Sequence, residues 1–195
     1  MNLPNLLSLL RIILTPLFII LLFSESSSNR IFALIVFAVA AITDAYDGHL
    51  ARKYNLITPE GKFLDPLADK ILVLSAFFSF AFIGLIDFWM VWIISFRDLF
   101  ITGLRLIISS KGFEFVTSNL SKYKTAFQLT IIILTLIFLT IEGFNIDQLI
   151  PTLDLIKDYK IIYILTMFTA IFTAYTGIIY LYTNRIVIKD FINNS

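Results

Sequence analysis

An all-α, polytopic integral membrane protein with six transmembrane helices is the fold class that three features of this sequence predict. Hydrophobic types make up 58% of the 195 residues and charged types only 15%, against about 25% charge in an ordinary soluble domain. Mean hydropathy is +0.89. The apolar residues also fall into runs close to the roughly 20 that a bilayer core demands of one helix. A water-soluble globule of this size would still leave roughly a quarter to a third of its unfolded surface wet, and this composition has too few polar groups to cover it. Disorder is excluded by the same numbers, because it needs low hydrophobicity and high charge.

Six runs qualify, at about Leu6–Phe23, Ile31–Arg52, Pro66–Ile86, Phe88–Ile108, Lys122–Ile141 and Tyr159–Tyr182. The first lacks a basic leader and a small-residue cleavage site, and Arg11 interrupts it, so it reads as a retained helix rather than a signal peptide. Ser24–Arg30 is a polar break. Asn55–Lys62 holds Pro59 and Gly61 and reads as a turn-rich loop. Ile86–Asp87 is a tight turn. Glu142–Asp158, with Pro151 and four acids, reads as a connection. Six spans leave room for a single domain, 1–195. No internal repeat suggests an inverted-repeat transporter.

Orientation follows from the Lys/Arg bias. One side collects Arg11, Arg52, Lys53, Lys62, Lys70, Arg97, Arg105, Lys111, Lys122, Lys124, Arg185 and Lys189; the other collects Arg30, Lys157 and Lys160. The first side is expected to face the cytoplasm, from the cell's inner membrane. Trp89, Trp92, Tyr159 and Tyr163 would form the outer aromatic belt, and Tyr180 and Tyr182 the inner one. The net charge of +1 gives no reason to expect a nucleic-acid partner. There is no cysteine, so thiolate chemistry is absent and any metal falls to oxygen ligands or to the lone His49.

Charges inside the spans carry the chemistry. Asp44, Asp47, Gly48, Ala51 and Arg52 are spaced i, i+3, i+4, i+7 and i+8, so they share one helical face. A charge well inside a span costs about 2.5–3.5 kcal/mol even on a lenient scale, so two carboxylates on one turn need a cavity or a counter-ion. Beyond the loop, Asp65 suits a helix N-cap with Pro66 at the first helical position, and Asp69 lies one turn on. Two antiparallel helices would thus bring four carboxylates to one membrane surface. At about 4 Å and an effective dielectric of about 20, each pair repels by about 4 kcal/mol, so cations must join them. All-oxygen ligation selects hard ions, Mg²⁺ first and Mn²⁺ next; salt bridges to Arg52, Lys53, Lys62 and Lys70 are the plainer alternative. Gly48, Ala51 and Gly61 are small enough to admit a bulky ligand or, equally, a neighbouring helix. His49 sits beside the acidic face rather than on it.

A second, basic constellation comprises Arg97 and Arg105 in the fourth span and Lys122 and Lys124 at the start of the fifth. Buried cations beside a dicarboxylate site suit a phosphorylated substrate. Positive-inside anchoring is the alternative for the lysines, and pairing with a carboxylate the alternative for Arg97. Asp98 and Arg105, seven residues apart, lie on nearly one face and could pair.

The run Asp44-x-x-Asp47-Gly48-x-x-Ala51-Arg52, then Gly61, Asp65 and Asp69, resembles the signature of the CDP-alcohol phosphotransferase family at every position. Asn5 through Arg11 is similar to that family's first helix. Arg97-Asp98, Thr102 through Arg105, and Lys122-x-Lys124-Thr125-x-x-Gln128 resemble its bacterial phosphatidylglycerophosphate synthase branch. The resemblance implies six transmembrane helices, a homodimer and transfer of a phosphatidyl group from CDP-diacylglycerol to an alcohol, with loss of CMP. In that branch the acceptor is sn-glycerol 3-phosphate. It further implies two Mg²⁺ or Mn²⁺ ions on Asp44, Asp47, Asp65 and Asp69, with Asp69 also the catalytic base. Gly48, Ala51, Arg52 and Gly61 would line the CDP pocket, and Arg97, Arg105, Lys122 and Lys124 would hold the acceptor phosphate. Ser8 stands where the family usually has Thr, Asp98 where the branch more often has Glu, and Leu106 where it often has Glu. An Arg-Asp pair also occurs in the family's cardiolipin synthases, so phosphatidylglycerol is the alternative acceptor. A divalent-cation transporter is the reading from another class, but the acids and bases gather at one end rather than along a path.

Overall fold

The computed structural model describes the backbone of residues 3–24, 26–53, 59–112, 115, 119–144 and 146–193, and the side chains of all of these except 3–5, 44–53, 59–65 and 119. Within them the chain is helical: α1 (Leu3–Leu22), α2 (Ser27–Lys53), α3 (Pro59–Ile83), α4 (Phe88–Ser110), α5 (Asn119–Phe144), a 3-10 turn (Asp147–Leu149), α6 (Ile150–Asp158), α7 (Ile161–Thr183) and α8 (Arg185–Asn193). The six long helices match the six apolar runs. Three of them contain segments long and apolar enough to cross a membrane, Pro66–Ile83, Leu120–Phe144 and Ile161–Thr183, and the apolar stretches Leu6–Leu22 and Ser27–Thr43 are shorter. α4 carries Arg97, Asp98 and Arg105 within its length, which is why composition alone does not mark it as a span.

Helix α1 packs on α2 and α3, α2 on α5, α3 on α4, and α7 on both α4 and α5. The core is apolar, with Phe18 against Phe37 at 5.5 Å between ring centres and Phe77 edge-on to Phe80. Large side chains such as Ile20, Phe82, Phe96, Ile178 and Tyr182 point outward, as expected where lipid rather than water is the solvent. Hydroxyls within the helices bond back to their own backbone: Thr15 to the Arg11 carbonyl, Ser79 to Ser75, Thr135 to Ile131, Thr169 to Leu165. A polar side chain so satisfied can face packed helices at little cost. Gly84 ends α3 at φ 86°, with the Leu85 amide donating to the Phe80 carbonyl; a left-handed residue closes the turn to Asp87.

Four expectations are corrected. Pro59 opens α3 instead of sitting in a loop, so the helix starts six residues before Asp65. Proline at the first helical position forfeits an amide that would be unpaired there in any case. Asp65 is therefore inside the helix rather than its N-cap, and Pro66 is an internal proline. The connection after α5 is ordered as a 3-10 turn and the short helix α6, with Pro151 in its first turn. Tyr180 is 4% exposed and faces the bundle interior, whereas Tyr182 is exposed as an interfacial residue should be.

Candidate active site

Helices α3, α4, α5 and α7 enclose a cavity of about 570 Å³ at the end of the bundle where α4 finishes. Asp69 and Lys70 line it from α3, Arg97 and Arg105 from α4, Ser121, Lys124 and Thr125 from α5, and Tyr180 from α7. The helical repeat accounts for these choices. Arg97, Ile101 and Arg105 are spaced i, i+4, i+8 and share a face, as do Ser121, Lys124 and Thr125. Lys122 is two residues from Lys124, hence on another side of α5; it is exposed and does not line this cavity.

The cations are not equivalent. Lys124 is buried, and its ammonium donates to both oxygens of the fully buried Asp98 carboxylate at 2.6 Å each. Arg97 Nη1 donates to Asp98 Oδ1 at 3.1 Å. The Gln128 amide nitrogen approaches Asp98 Oδ2 and Thr173 Oγ1, both at 3.4 Å, tying α4, α5 and α7 together. Asp98 thus pairs with Arg97 and Lys124; the sequence-level pairing with Arg105 is absent among the described residues. Nε and Nη2 of Arg97 are buried and have no hydrogen-bond partner among the described residues. On α3, Lys70 pairs with Asp69 at 2.8 Å.

Charge counting follows. Lys70, Arg97, Arg105 and Lys124 are four cations on the cavity wall, and Asp69 and Asp98 are two anions on or directly behind it. Four minus two leaves two positive charges among the described residues. Lys70 sits on Asp69 and Asp98 is shared by Lys124 and Arg97, so the surplus is Arg105 and the second cation on Asp98, where Arg97 keeps two nitrogens without a bond among the described residues. A guanidinium with donors to spare is matched by an anionic oxygen.

Asp44, Asp47, Gly48, Ala51 and Arg52 lie on the continuous helix α2, and Gly61, Asp65 and Asp69 on α3, so the helical spacing that the signature requires is present in the backbone. α2 and α3 also pack together. The side chains of these residues other than Asp69, like that of His49, lie outside the described residues. In the first helix, Ser8 and Arg11 are buried, so Arg11 serves the bundle interior and not the membrane surface.

Tyr180 is the site residue that sequence reasoning missed. Its ring stacks on Phe115 at 5.7 Å, and its buried hydroxyl has no partner among the described residues. A tyrosine near a helix end reads as a belt residue; the signal against that reading is its i+7 relation to the buried Thr173 and its i+3 relation to Gly177.

Residues 1–175 match the family described as CDP-alcohol phosphatidyltransferase. The chain is 40% identical over 136 residues to the CDP-diacylglycerol--glycerol-3-phosphate 3-phosphatidyltransferase of Bacillus subtilis, covering 64% of this chain and 70% of that protein. It is 35% identical over 175 residues to the protein of the same description in Rickettsia bellii, covering 90% and 92%. A probable phosphatidylglycerophosphate synthase of Mycobacterium tuberculosis is 41% identical over 114 residues, covering 57% and 54%. The chain belongs to the CDP-alcohol phosphatidyltransferase family. It is a membrane enzyme of phosphatidyl transfer in phospholipid biosynthesis.

Proposed function

We propose that this enzyme transfers the phosphatidyl group of CDP-diacylglycerol to sn-glycerol 3-phosphate, giving phosphatidylglycerophosphate and CMP. The relatives' descriptions name both substrates. The observation that carries the acceptor assignment is the pair of unpartnered nitrogens on Arg97, in a cavity it shares with Asp69 and Arg105. Two surplus positive charges suit a phosphate monoester dianion. A phosphodiester acceptor such as phosphatidylglycerol carries one charge and would leave one guanidinium unmatched.

The chemistry asks for positioning and charge stabilisation more than covalent help. An acceptor anchored by its phosphate on Arg97 and Arg105 presents a free hydroxyl towards Asp69. The carboxylate takes the hydroxyl proton as that oxygen bonds to the diacylglycerol-bearing phosphorus, and the pyrophosphate link breaks with its electron pair leaving on CMP. Lys70, now on Asp69 at 2.8 Å, has to release the carboxylate for this role. Lys124 holds Asp98, and through it Arg97, and has a third N–H for the acceptor. Asp44, Asp47, Asp65 and Asp69 are all-oxygen donors that fit two hard divalent cations, Mg²⁺ or Mn²⁺; such ions supply charge neutralisation at the pyrophosphate when bound. Gly48, Ala51, Arg52 and Gly61 border the same segment and are assigned to the CDP moiety.

The proposal includes six crossings by α1–α5 and α7, a cavity open to the cytoplasm at the inner membrane, contact with membrane lipids and a homodimeric assembly. The purified protein tests the acceptor directly. CMP release from CDP-diacylglycerol should require glycerol 3-phosphate; release with phosphatidylglycerol instead would assign the chain to cardiolipin synthesis.

A further inference from the structure

Arg97 is half-way along a helix that must carry it between apolar neighbours, and its side chain lies directly against α7. The contact point there is Gly177. A Cβ built on Gly177 would stand 2.8 Å from Arg97 Cγ and 3.4 Å from Arg97 Nε. Real carbon atoms do not approach so closely. Nor can the arginine yield cheaply, because Cγ is placed by χ1 alone and has three staggered positions to choose from. Turning χ1 would swing the whole guanidinium, withdrawing Nη1 from Asp98 and moving the two unpartnered nitrogens. Gly177 is also buried in a seam of α7 with Thr173, Thr176 and Tyr180, so α7 offers no give there and any yielding must come from the arginine turning within the cavity.

We infer that Gly177 is a positioning residue for the acceptor site: the missing Cβ is the slot in which the Arg97 side chain lies, and it sets the guanidinium against Asp98 with two donors left for the acceptor's phosphate. This rests on the reading of Arg97 as an acceptor-phosphate ligand. It goes beyond the family signature, which lies on α2 and α3, by placing a determinant of acceptor binding on α7. The effect is specific to one side chain. A glycine that only let two helices pack closely would act on stability, whatever residue stood at position 97.

A double-mutant cycle separates these cases. Gly177→Ala, Arg97→Ala and the double variant are purified in detergent, and KM for glycerol 3-phosphate, KM for CDP-diacylglycerol, kcat and Tm are measured for each. Gly177→Ala alone should raise the acceptor KM about 10- to 100-fold, the scale of an ångström-level misplacement, with the CDP-diacylglycerol KM within about twofold. In the Arg97→Ala background, where Cγ is gone, the alanine at 177 should add less than about twofold. Should Gly177→Ala fold poorly, Arg97→Ala must restore its folded yield. Additive effects, equal changes in both KM values, or a folding defect that Arg97→Ala does not rescue would overturn the role of Gly177 while leaving Arg97 as a ligand. An Arg97→Ala variant with normal acceptor KM would overturn the reading of the acceptor site itself, and the inference with it.

Discussion

At the scale of single residues, the contrast between Lys124 and Arg97 decides what each can do. Both are cations in the same cavity, yet Lys124 has two short bonds to Asp98 and Arg97 keeps two nitrogens without partners among the described residues. Removing one partner of a buried ion pair strands the other charge, at a cost of about 3–5 kcal/mol. Lys124→Met should therefore lower Tm in detergent by several degrees, and Asp98→Asn should do likewise; unchanged melting of both would show that the pair is not buried. Arg105 is exposed at the cavity mouth. Arg105→Ala should leave Tm alone and raise the acceptor KM much more than the KM for CDP-diacylglycerol. Asp69→Asn keeps the shape of the side chain and removes its basicity. It should abolish turnover with an unaltered Tm, and retained CMP release would remove Asp69 as the base.

At the scale of elements, the far end of the bundle is held by contacts unrelated to the reaction. Arg30 of α2 donates to the Leu139 carbonyl of α5 at 3.1 Å, and Ser27 Oγ donates to the Gly143 carbonyl. Thr140 Oγ1 returns a bond to the Arg30 carbonyl at 3.4 Å. The Ser27 bond meets one of the orphan carbonyls with which α5 ends, and the other two tie α2 to the last turns of α5. Arg30→Ala should cost about 1.5–3 kcal/mol, the range for a hydrogen bond to a charged group, read as a lower Tm with both KM values intact. On α6, Lys157 bonds Glu142 at 2.7 Å, and that hydrogen bond raises the lysine's pKa above its ordinary 10.5. The sign follows: the stabilisation is complete below 10.5 and disappears as pH climbs through the raised value. The lysine is half-exposed, so solvent screens the pair to well under about 1 kcal/mol. Lys157→Met should lower Tm only slightly at pH 8, and the gap to the unsubstituted protein should close as pH rises through the lysine's raised pKa.

For the whole molecule, the polar groups divide between two ends of one bundle. α4 runs 23 residues, or about 35 Å at about 1.5 Å per residue, from Asp87 at one end to the cavity at the other. Asp87 there accepts from Tyr163 at 2.8 Å and from Trp89 at 3.1 Å, which suits the interfacial belt expected of those aromatics. Because the chain has no cysteine, single cysteines report sidedness without background. In sealed inner-membrane vesicles and in whole cells, Ser110→Cys should be labelled by a membrane-impermeant maleimide from the cytoplasmic side and Lys160→Cys from the opposite side. Labelling of both from one side would overturn the proposed orientation. The two surplus charges among the described residues of the cavity also predict that inorganic phosphate competes with glycerol 3-phosphate and not with CDP-diacylglycerol.

The sequence by itself determined the membrane class, the six long helices, and the shared faces of Arg97 with Arg105 on α4 and of Asp44 through Arg52 on α2, because each rests on composition or on spacing along one helix. Periodicity and hydropathy are local quantities, and Asp44 through Arg52 or Arg97 through Arg105 can be read without knowing their neighbours. What only the tertiary structure decided is which of those charges remain available. Lys124 could not be told from Arg97 until α4 and α5 were side by side with Asp98 between them. Tyr180 could not be told from Tyr182 until α7 was packed against α4, and Gly177 carried no signal at all. The physical reason is the same each time: a pairing, a burial or an atom-width gap belongs to two helices at once, and no stretch of one chain segment contains it.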